Sequence, residues 1–403
     1  MDLSYGKEYD EFRAQVRSFL EENWPPQGGA SRDDGGRQFR QAAIERGYLY
    51  RNIPKRYGGS EQEADSIAAQ IIREEFGAKH APMEIRAIGM MMLVPTLLER
   101  AEEWQKEKFV RPTVMGEITW CQGYSEPGSG SDLASLQTRG VLEGDEWVIN
   151  GQKIWTTSAM EADWMFCLVR TEPDVPKHAG ISYLLIPMKQ PGIEVRPLKQ
   201  MNGTAEFNEV FFTDARTPAD HIVGQRGEGW LVSRTTLKHE RNSIAAAAQA
   251  AATFQGLVQF ARDTKRGGRP VIEDPLVREQ LAILEGYVCA HEYSGLRQFT
   301  KDAKGESPGI ISMMNKLHST NIGSMVAKAS LEIMGEDGLM DPVQTGLAKL
   351  GVIPSGSQAW LNQYMYSLGI AVAGGTANIQ RNVIGERGLG LPRDHYANRS
   401  SGK

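Results

Sequence analysis

Apolar residues recur at helical spacing through the first part of the chain. In the segment YDEFRAQVRSFLEENWPP, four apolar side chains share one face of a helix: Phe12, Val16, Phe19 and Leu20. Pro25 and Pro26 would end this helix, because proline has no backbone donor and clashes with the preceding turn. The segments DSIAAQIIREEFG and IGMMMLVPTLLERA show the same spacing. The pattern predicts an all-helical N-terminal domain over residues 1–117.

Short apolar runs separated by glycine and proline replace this pattern over residues 118–228. The segment EWVINGQKIWTT contains two β-type runs on either side of Asn150-Gly151, a dipeptide that favours a two-residue hairpin turn. ADWMFCLVR and GISYLLIPM predict buried strands, and AEFNEVFFTDARTP predicts a strand with a turn-like tail at Pro218. We therefore expect a compact middle β domain over residues 118–228.

Helical spacing returns over residues 229–403, beginning with a long Ala-rich helix. Its segment LKHERNSIAAAAQAA places Glu240 on a helix face with four apolar side chains: Leu237, Ile244, Ala248 and Ala251. Such a carboxylate is ordinarily paired with a cation, for example Arg241, or lies at the edge of the apolar stripe. The order helix, strand, helix predicts an α+β protein with a β domain between two helical domains.

Composition and charge narrow the class of protein. The 403 residues are 24% charged and 40% hydrophobic, and 45 basic against 50 acidic side chains leave a formal charge of −5, which indicates neither a nucleic-acid nor a membrane partner. The three cysteines lie far apart, as in a protein of a reducing compartment, and the seven scattered histidines indicate no metal site. The acidic N-terminal segment MDLSYGKEYDEF is unlike a signal peptide. We expect a soluble cytoplasmic protein.

The segment CQGYSEPGSGSD, residues 121–132, is rich in glycine and serine. Leu133 replaces the last glycine of a GxGxxG motif, and Pro127 replaces the last glycine of a GxSxG nucleophile elbow, so neither a Rossmann site nor an esterase site is expected. What remains is a loop with backbone N–H groups and the hydroxyls of Ser129 and Ser131. Such a loop binds a phosphate group or is simply a turn.

Two further segments contain candidate binding residues. In NGQKIWTTSA, Trp155 and Thr157 lie two residues apart on a strand, so both could bracket a flat polar ring, or Trp155 could be a core residue. In AGGTANIQR, a glycine-rich turn precedes a short helix, where Thr376 would bind an anion or cap the helix.

Taken together and in this order, EPGSGSD, NGQKIWTT and GGTANIQR resemble the acyl-CoA dehydrogenase family of flavoenzymes. The resemblance covers nearly the whole chain. It implies an N-terminal helical domain, a middle β-barrel or sandwich domain and a C-terminal four-helix bundle. It also implies FAD as cofactor, an acyl-CoA thioester as substrate, a trans-2-enoyl-CoA as product and an electron-transfer flavoprotein as electron acceptor. The family is typically tetrameric or dimeric, and some bacterial members are heterotetramers of related chains.

The resemblance assigns cofactor contacts by motif position. The flavin ring would meet the chain around residues 122–126, with Trp155 beside it and the Thr157 hydroxyl near its N5 atom. Phosphates of FAD or CoA would lie near the glycine-rich loop, and a neighbouring subunit would contribute a glycine. The residues assigned in this way are Gln122, Tyr124, Ser125, Gly130, Ser131, Trp155, Thr157, Gly335, Thr376 and Asn378.

The chain departs from the family at the catalytic base. Most members have a glutamate directly before the Gly-Thr of the C-terminal motif, where this chain has Gly374. A minority, including isovaleryl and long-chain types, keep the base on the long helix before an arginine, as in Glu240-Arg241. The resemblance therefore implies that Glu240 is the base, Arg241 a substrate contact, and the Gly374 N–H a donor to the thioester oxygen.

A second departure concerns the neighbouring subunit's cofactor. Many homotetrameric members carry an Arg-x-x-Phe segment after the long helix, where this chain has DTKRGGRPVIEDP. Arg266 or Arg269 could replace that arginine, and the sequence does not choose between them. Two other functions stay open: a flavin oxidase or monooxygenase of the same fold, and a non-catalytic subunit of a heteromer. Branched, long, ring-bearing or steroid acyl groups are all compatible with Gly374.

Overall fold

Helices form the first part of the chain in the computed structural model, which describes residues 6–25, 32–244, 247–307, 309–340, 354 and 356–392. The helices are α1 (Lys7–Asn23), α2 (Arg32–Glu45), α3 (Ser66–Ala78), α4 (Val94–Arg100) and α5 (Glu103–Met115). As predicted, α1 buries Val16, Phe19 and Leu20. Ion pairs join α1 to α3, because Glu75 accepts from Arg13 at 2.6 Å and from Arg17 at 2.8 Å.

Seven strands form a curled sheet after α5. They are β1 (Trp120–Gly123), β2 (Arg139–Glu143), β3 (Glu146–Thr157), β4 (Trp164–Arg170), β5 (Ile181–Pro187), β6 (Ile193–Pro197) and β7 (Phe207–Pro218). Their order is β1-β4-β2-β3-β7-β6, and β5 pairs with β4. One face packs against the N-terminal helices, and the other encloses a second apolar core that includes Cys121, Trp147, Met165 and Phe212. This is the expected middle β domain.

The predicted hairpin turn at Asn150-Gly151 is wrong, because β3 continues through this dipeptide. The ladder between β3 and β7 shifts register here as a β-bulge. The Asn150 amide donates to Asp214 at 2.8 Å, and Gly151 has φ +149°. The two-residue turn lies earlier instead, at Gly144-Asp145 between β2 and β3. The turn-like tail before Pro218 is also wrong, since β7 pairs with β3 up to that residue.

The last part of the chain is helical, with one small hairpin. Its helices are α6 (Gly229–Ile244), α7 (Ala247–Asp263), α8 (Pro275–Ala303), α9 (Ile310–Met334), α10 (Ser357–Ile370) and α11 (Ala377–Val383), and its strands are β8 (Lys265–Arg266) and β9 (Arg269–Pro270). Helices α7 to α10 form the expected four-helix bundle around a separate core that contains Leu257, Leu284, Ile322 and Trp360. None of the described helices is long and apolar enough to cross a bilayer.

Helix α6 lies outside this bundle and packs where all three parts of the chain meet. It contacts α4, the π-helical turn Gly89–Leu93 and β5. Val232 of α6 belongs to the core that the N-terminal helices share with the sheet. A side chain on the buried face of α6 is therefore held between the helical and β parts of the chain.

Candidate active site

The loop after β1 is closed by its own backbone. The N–H and C=O groups of Glu126 and Ser129 bond to each other at 2.9 and 3.0 Å. The Ser129 hydroxyl is buried and donates to the Asp132 carbonyl at 2.8 Å, so it is occupied within the loop. Gly130 and Ser131 are exposed. Of the two hydroxyls suggested by the sequence, only that of Ser131 faces solvent.

A buried ion pair lies directly beneath this loop. Lys153 of β3 is fully buried, and its Nζ donates to Glu126 at 2.8 Å and to the Tyr124 carbonyl at 3.1 Å. The Glu126 carboxylate also accepts from the N–H groups of Gln137 and Thr138, at 2.6 and 2.8 Å. Burial alone would raise the pKa of Glu126, but the charge of Lys153 and these hydrogen bonds hold it below its usual value. No sequence motif indicates this pair, because its two residues lie 27 positions apart and meet only in the folded chain.

The pair brings the loop against the end of β3, where Trp155 lies. The Ile154 N–H donates to the Ser125 carbonyl at 2.9 Å. Trp155 has φ +60° and is 59% exposed, with its edge against Phe207. It is therefore not a core residue. Thr157 is half-buried beyond it, and Gln122 is half-buried in β1. The result is an open aromatic face beside a row of backbone groups, which suits a flat polar ring.

Glu240 lies on the face of α6 that contains Val232 and Thr236, and it is half-buried. Burial raises the pKa of the Tyr124 phenol well above its usual value, and Tyr183 and the Glu240 carboxylate add to this rise. Glu240 is thus within electrostatic reach of a residue in the loop after β1. The side chain of Arg241 lies outside the described residues.

The turn that contains Gly374 is held by buried polar groups. Gly374 and Gly375 have φ +62° and +96°, values that glycine tolerates without strain. Lys316 of α9 is buried, and its Nζ donates to the carbonyls of Ala371 and Gly375 at 3.3 and 2.8 Å. The Gln380 amide donates to the Gly374 carbonyl at 3.2 Å. The turn is therefore anchored to α9 rather than loose on the surface.

Residues after this turn have local roles in the folded chain. The Thr376 hydroxyl accepts from the Ile379 N–H at 3.3 Å and so caps α11, as one of the two interpretations predicted. The exposed Asn378 accepts from Arg381 at 3.3 Å. Both residues lie at the N-terminal end of α11.

Arg266 and Gly335 meet at one end of the bundle. The Arg266 guanidinium donates to the Glu332 carbonyl at 2.7 Å. A β-carbon at Gly335 would lie 3.9 Å from Nη2 of Arg266. Arg269 is exposed on the other strand of the β8–β9 hairpin. Both arginines are exposed, but Arg266 is held beside Gly335 by its bond to the Glu332 carbonyl.

Comparisons with known proteins match nearly the whole chain. Models of the N-terminal, middle and C-terminal domains of acyl-CoA dehydrogenases match residues 6–117, 121–215 and 227–389. The chain is 36% identical to acyl-CoA dehydrogenase IpdE1 of Mycobacterium tuberculosis, over 96% of this chain and 99% of that protein. It is 34% identical to acyl-CoA dehydrogenase FadE34 of the same organism, over 88% of this chain and 46% of that protein.

Solved structures with the same fold include two complexes. A chain of the ChsE4-ChsE5 complex from Mycobacterium tuberculosis is 27% identical with a TM-score of 0.74, covering 98% of this chain and 100% of that one. A chain of the Tcur3481-Tcur3483 steroid ACAD is 28% identical with a TM-score of 0.76, covering 98% and 100%.

Proposed function

The chain belongs to the acyl-CoA dehydrogenase family, and from this premise we propose that it removes the α and β hydrogens of an acyl-CoA thioester with Glu240 as the base. The family consists of flavin-dependent oxidoreductases that act on acyl-CoA. The product would be the trans-2-enoyl-CoA, with electrons passing to an electron-transfer flavoprotein. The observation that carries the proposal is the position of Glu240, a half-buried carboxylate where α6 meets the loop after β1.

Burial suits a carboxylate that must take a weakly acidic proton. The α-proton of a thioester is difficult to remove in water, where a carboxylate is stabilised by solvation. Withdrawal from water makes the ionised Glu240 a stronger base. Because the bound substrate is held next to the carboxylate, the proton transfer does not require a bimolecular encounter in solution. The Gly374 N–H would donate to the thioester oxygen and so stabilise the charge that develops there. Arg241 would contact the substrate next to the base.

The residues around Trp155 fit a flavin. We assign the ring to the exposed face of Trp155, with the backbone of residues 122–126, including Gln122, Tyr124 and Ser125, along its edge and Thr157 near N5. Gly130, Ser131, Thr376 and Asn378 would contact phosphate or adenine groups of FAD, and Ser131 also the CoA. When bound, FAD supplies the hydride acceptor for the β-hydrogen. Of the two arginines, we favour Arg266 for the neighbouring subunit's cofactor, because it lies beside Gly335.

A bulky acyl group is the substrate class that we favour. The side chain that most family members have at position 374 is absent, which leaves space beside the α and β carbons. A solved structure similar to this chain is a steroid ACAD. We therefore propose a ring-bearing or branched acyl chain over a short linear one. The two similar structures are complexes of two named chains, so a related second chain is the partner that we propose to look for first.

Replacing Glu240 tests the proposal directly. The purified yellow protein is titrated anaerobically with octanoyl-CoA, isovaleryl-CoA and a CoA ester of a steroid-ring propionate, and flavin bleaching is followed. We expect one or more esters to bleach the wild type, and Glu240→Gln to keep FAD but lose reduction by about 100-fold or more, the usual contribution of a positioned base.

Glu99→Gln is the matched control. Glu99 lies on α4 and pairs with His239 at 3.1 Å, so the variant removes a neighbouring carboxylate and should leave the rate unchanged. Near-normal reduction by Glu240→Gln would disprove its role as base. Rapid oxygen consumption with indifference to every ester would instead identify an oxidase or monooxygenase, and a colourless protein would indicate a subunit that needs its partner to bind FAD.

A further inference from the structure

The hydroxyl of Tyr124 is buried without a hydrogen-bond partner among the described residues. Tyr124 is 5% exposed, and its Oη is one of the few buried side-chain polar atoms without such a bond. Its ring is fixed by edge contacts with Phe166 and Tyr183, with centroids 6.0 and 6.3 Å apart. Buried hydroxyls in native proteins rarely lack a hydrogen bond. We therefore expect an acceptor that reaches the Tyr124 hydroxyl when substrate binds.

The neighbouring hydroxyls are already engaged with one another. Thr96 donates to the Met92 carbonyl at 2.7 Å and lies 3.0 Å from the Thr236 hydroxyl. The Tyr183 hydroxyl lies 3.4 Å from Thr236 on another side. Tyr124 lies close to both Thr236 and Tyr183, but neither makes a hydrogen bond of good geometry with it.

Glu240 is the next group along α6 from this cluster. It follows Thr236 by four residues, so the two side chains lie on the same helix face. Its charge acts on the Tyr124 phenol, whose pKa is raised by burial first and by the Glu240 carboxylate as well. A phenol that keeps its proton can only donate to an ionised carboxylate, so in a contact between the two groups Tyr124 would donate and Glu240 would accept.

We propose that Tyr124 is a positioning residue whose hydroxyl donates to the Glu240 carboxylate as that carboxylate turns toward the substrate α-carbon. This inference rests on the proposed function, in which Glu240 is the base. In the step, the α C–H bond breaks, an O–H bond forms on Glu240, and Tyr124 keeps its own proton. The donated hydrogen bond favours the ionised form of the base and fixes the direction of its lone pair.

Other ionisable groups surround this part of α6 and are accounted for as follows. The described charged and titratable groups on the elements packed against α6 are Glu99 and Arg100 on α4, Tyr183 on β5, and Lys316, His318, Lys328 and Glu332 on α9. Those on α6 itself, besides Glu240, are Arg234, Lys238 and His239. His239 pairs with Glu99, Arg100 donates to Thr235, and Lys316 donates to backbone carbonyls. Tyr124 differs from the buried Tyr183 and Lys316 in that its hydroxyl has no hydrogen-bond partner among the described residues.

Tyr124→Phe removes only the hydroxyl. We measure the single-turnover rate of flavin reduction against pH, using the panel ester that reduces the wild type fastest. The acid limb should move up by roughly one pH unit, so that the rate near pH 7 falls severalfold while the apparent affinity for the ester changes little. The thermal midpoint of the FAD-loaded protein should not fall, because the lost hydroxyl had no partner in the folded chain.

Tyr50→Phe is the matched control. Tyr50 is 1% exposed, and its hydroxyl accepts from the Ile85 N–H at 3.0 Å. This variant should lower the thermal midpoint and leave the pH profile unchanged, the opposite of Tyr124→Phe. An unchanged pH profile of the reduction rate in Tyr124→Phe would overturn the inference. If the thermal midpoint also fell, the hydroxyl would have a structural role in the folded chain instead. Retained reduction in Glu240→Gln would instead overturn the proposed function itself.

Discussion

At the residue scale, buried polar groups hold the proposed site together. Lys153, Glu126 and Lys316 are all buried, and each bonds to backbone that lies next to a proposed ligand contact. Removing charges from water is costly, and such groups are tolerated only where each is paired. Their bonds therefore determine the positions of the loop after β1 and of the Gly374 turn.

Breaking the Lys153–Glu126 pair should destabilise the chain strongly. We expect Lys153→Met to cost about 3–5 kcal/mol, because it leaves a buried carboxylate without its cation. The double variant Lys153→Met/Glu126→Gln should recover a large part of that loss. The pKa of Glu126 is lowered in the folded chain from 4.5, so the pair stabilises above that pH and loses its effect as the pH falls below it.

Thermal unfolding of the two variants and the wild type at neutral and acid pH checks this. The difference in thermal midpoint between wild type and Lys153→Met should be smaller at acid pH than at neutral pH. A gap that grew in acid, or a double variant no more stable than the single one, would contradict the assignment.

At the scale of elements, two register shifts in the β3–β7 ladder determine which residues reach the open aromatic face. The pairing of β3 with β7 shifts register between Ile149 and Gly151 and again between Lys153 and Thr156. Lys153 and Thr156 are consequently both buried, while Trp155 between them is exposed. In a regular strand, successive side chains point to opposite faces of the sheet, so two residues three positions apart would not both be buried on one face. The register shift between Lys153 and Thr156 removes this constraint.

Gly151→Ala tests the importance of the first of these two register shifts, between Ile149 and Gly151. A β-carbon at Gly151 would lie 2.7 Å from the Thr138 α-carbon, and φ is +149°, so strain and a backbone clash combine. We expect a loss of about 2–4 kcal/mol. Gly144→Ala is the control, since its φ is +65° but no atom lies within 4 Å of the new carbon, and it should cost only about 1–2 kcal/mol. Thermal midpoints in the reverse order would contradict this explanation.

At the scale of the whole molecule, α8 leaves an apolar face uncovered. Leu276, Ile283 and Tyr287 follow one another at spacings of seven and four residues, and they are 75%, 53% and 49% exposed. Leu276 and Ile283 also line a surface cavity together with Arg266 and Asp274. An apolar face of this kind on a folded chain marks a surface that another chain covers.

We expect the chain, alone or with a related partner, to associate through this face. Ile283→Glu combined with Tyr287→Glu should dissociate the assembly, because it places two charges in an apolar contact. Glu285→Lys, on another side of the same helix, is the control and should leave the mass unchanged. Light scattering during size-exclusion chromatography measures the mass, and an assembly that survives the double variant would rule out this face.

The sequence by itself determined the family, the order of helical and β parts and the main candidate residues. Helical spacing and β-type runs are local, and the motifs EPGSGSD, NGQKIWTT and GGTANIQR are read along the chain. Glu240 was singled out because a carboxylate on an apolar helix face is unusual, and the family resemblance supplied the role that we propose for it.

Only the tertiary structure decided features that depend on residues far apart in the chain. Asn150-Gly151 has the local preference of a hairpin turn, but pairing with the long β7 makes it a bulge, because many ladder bonds outweigh one turn preference. Trp155 is exposed, Lys153 meets Glu126, and Tyr124 meets α6 for the same reason. These contacts join segments that no sequence pattern links, so packing alone brings them together.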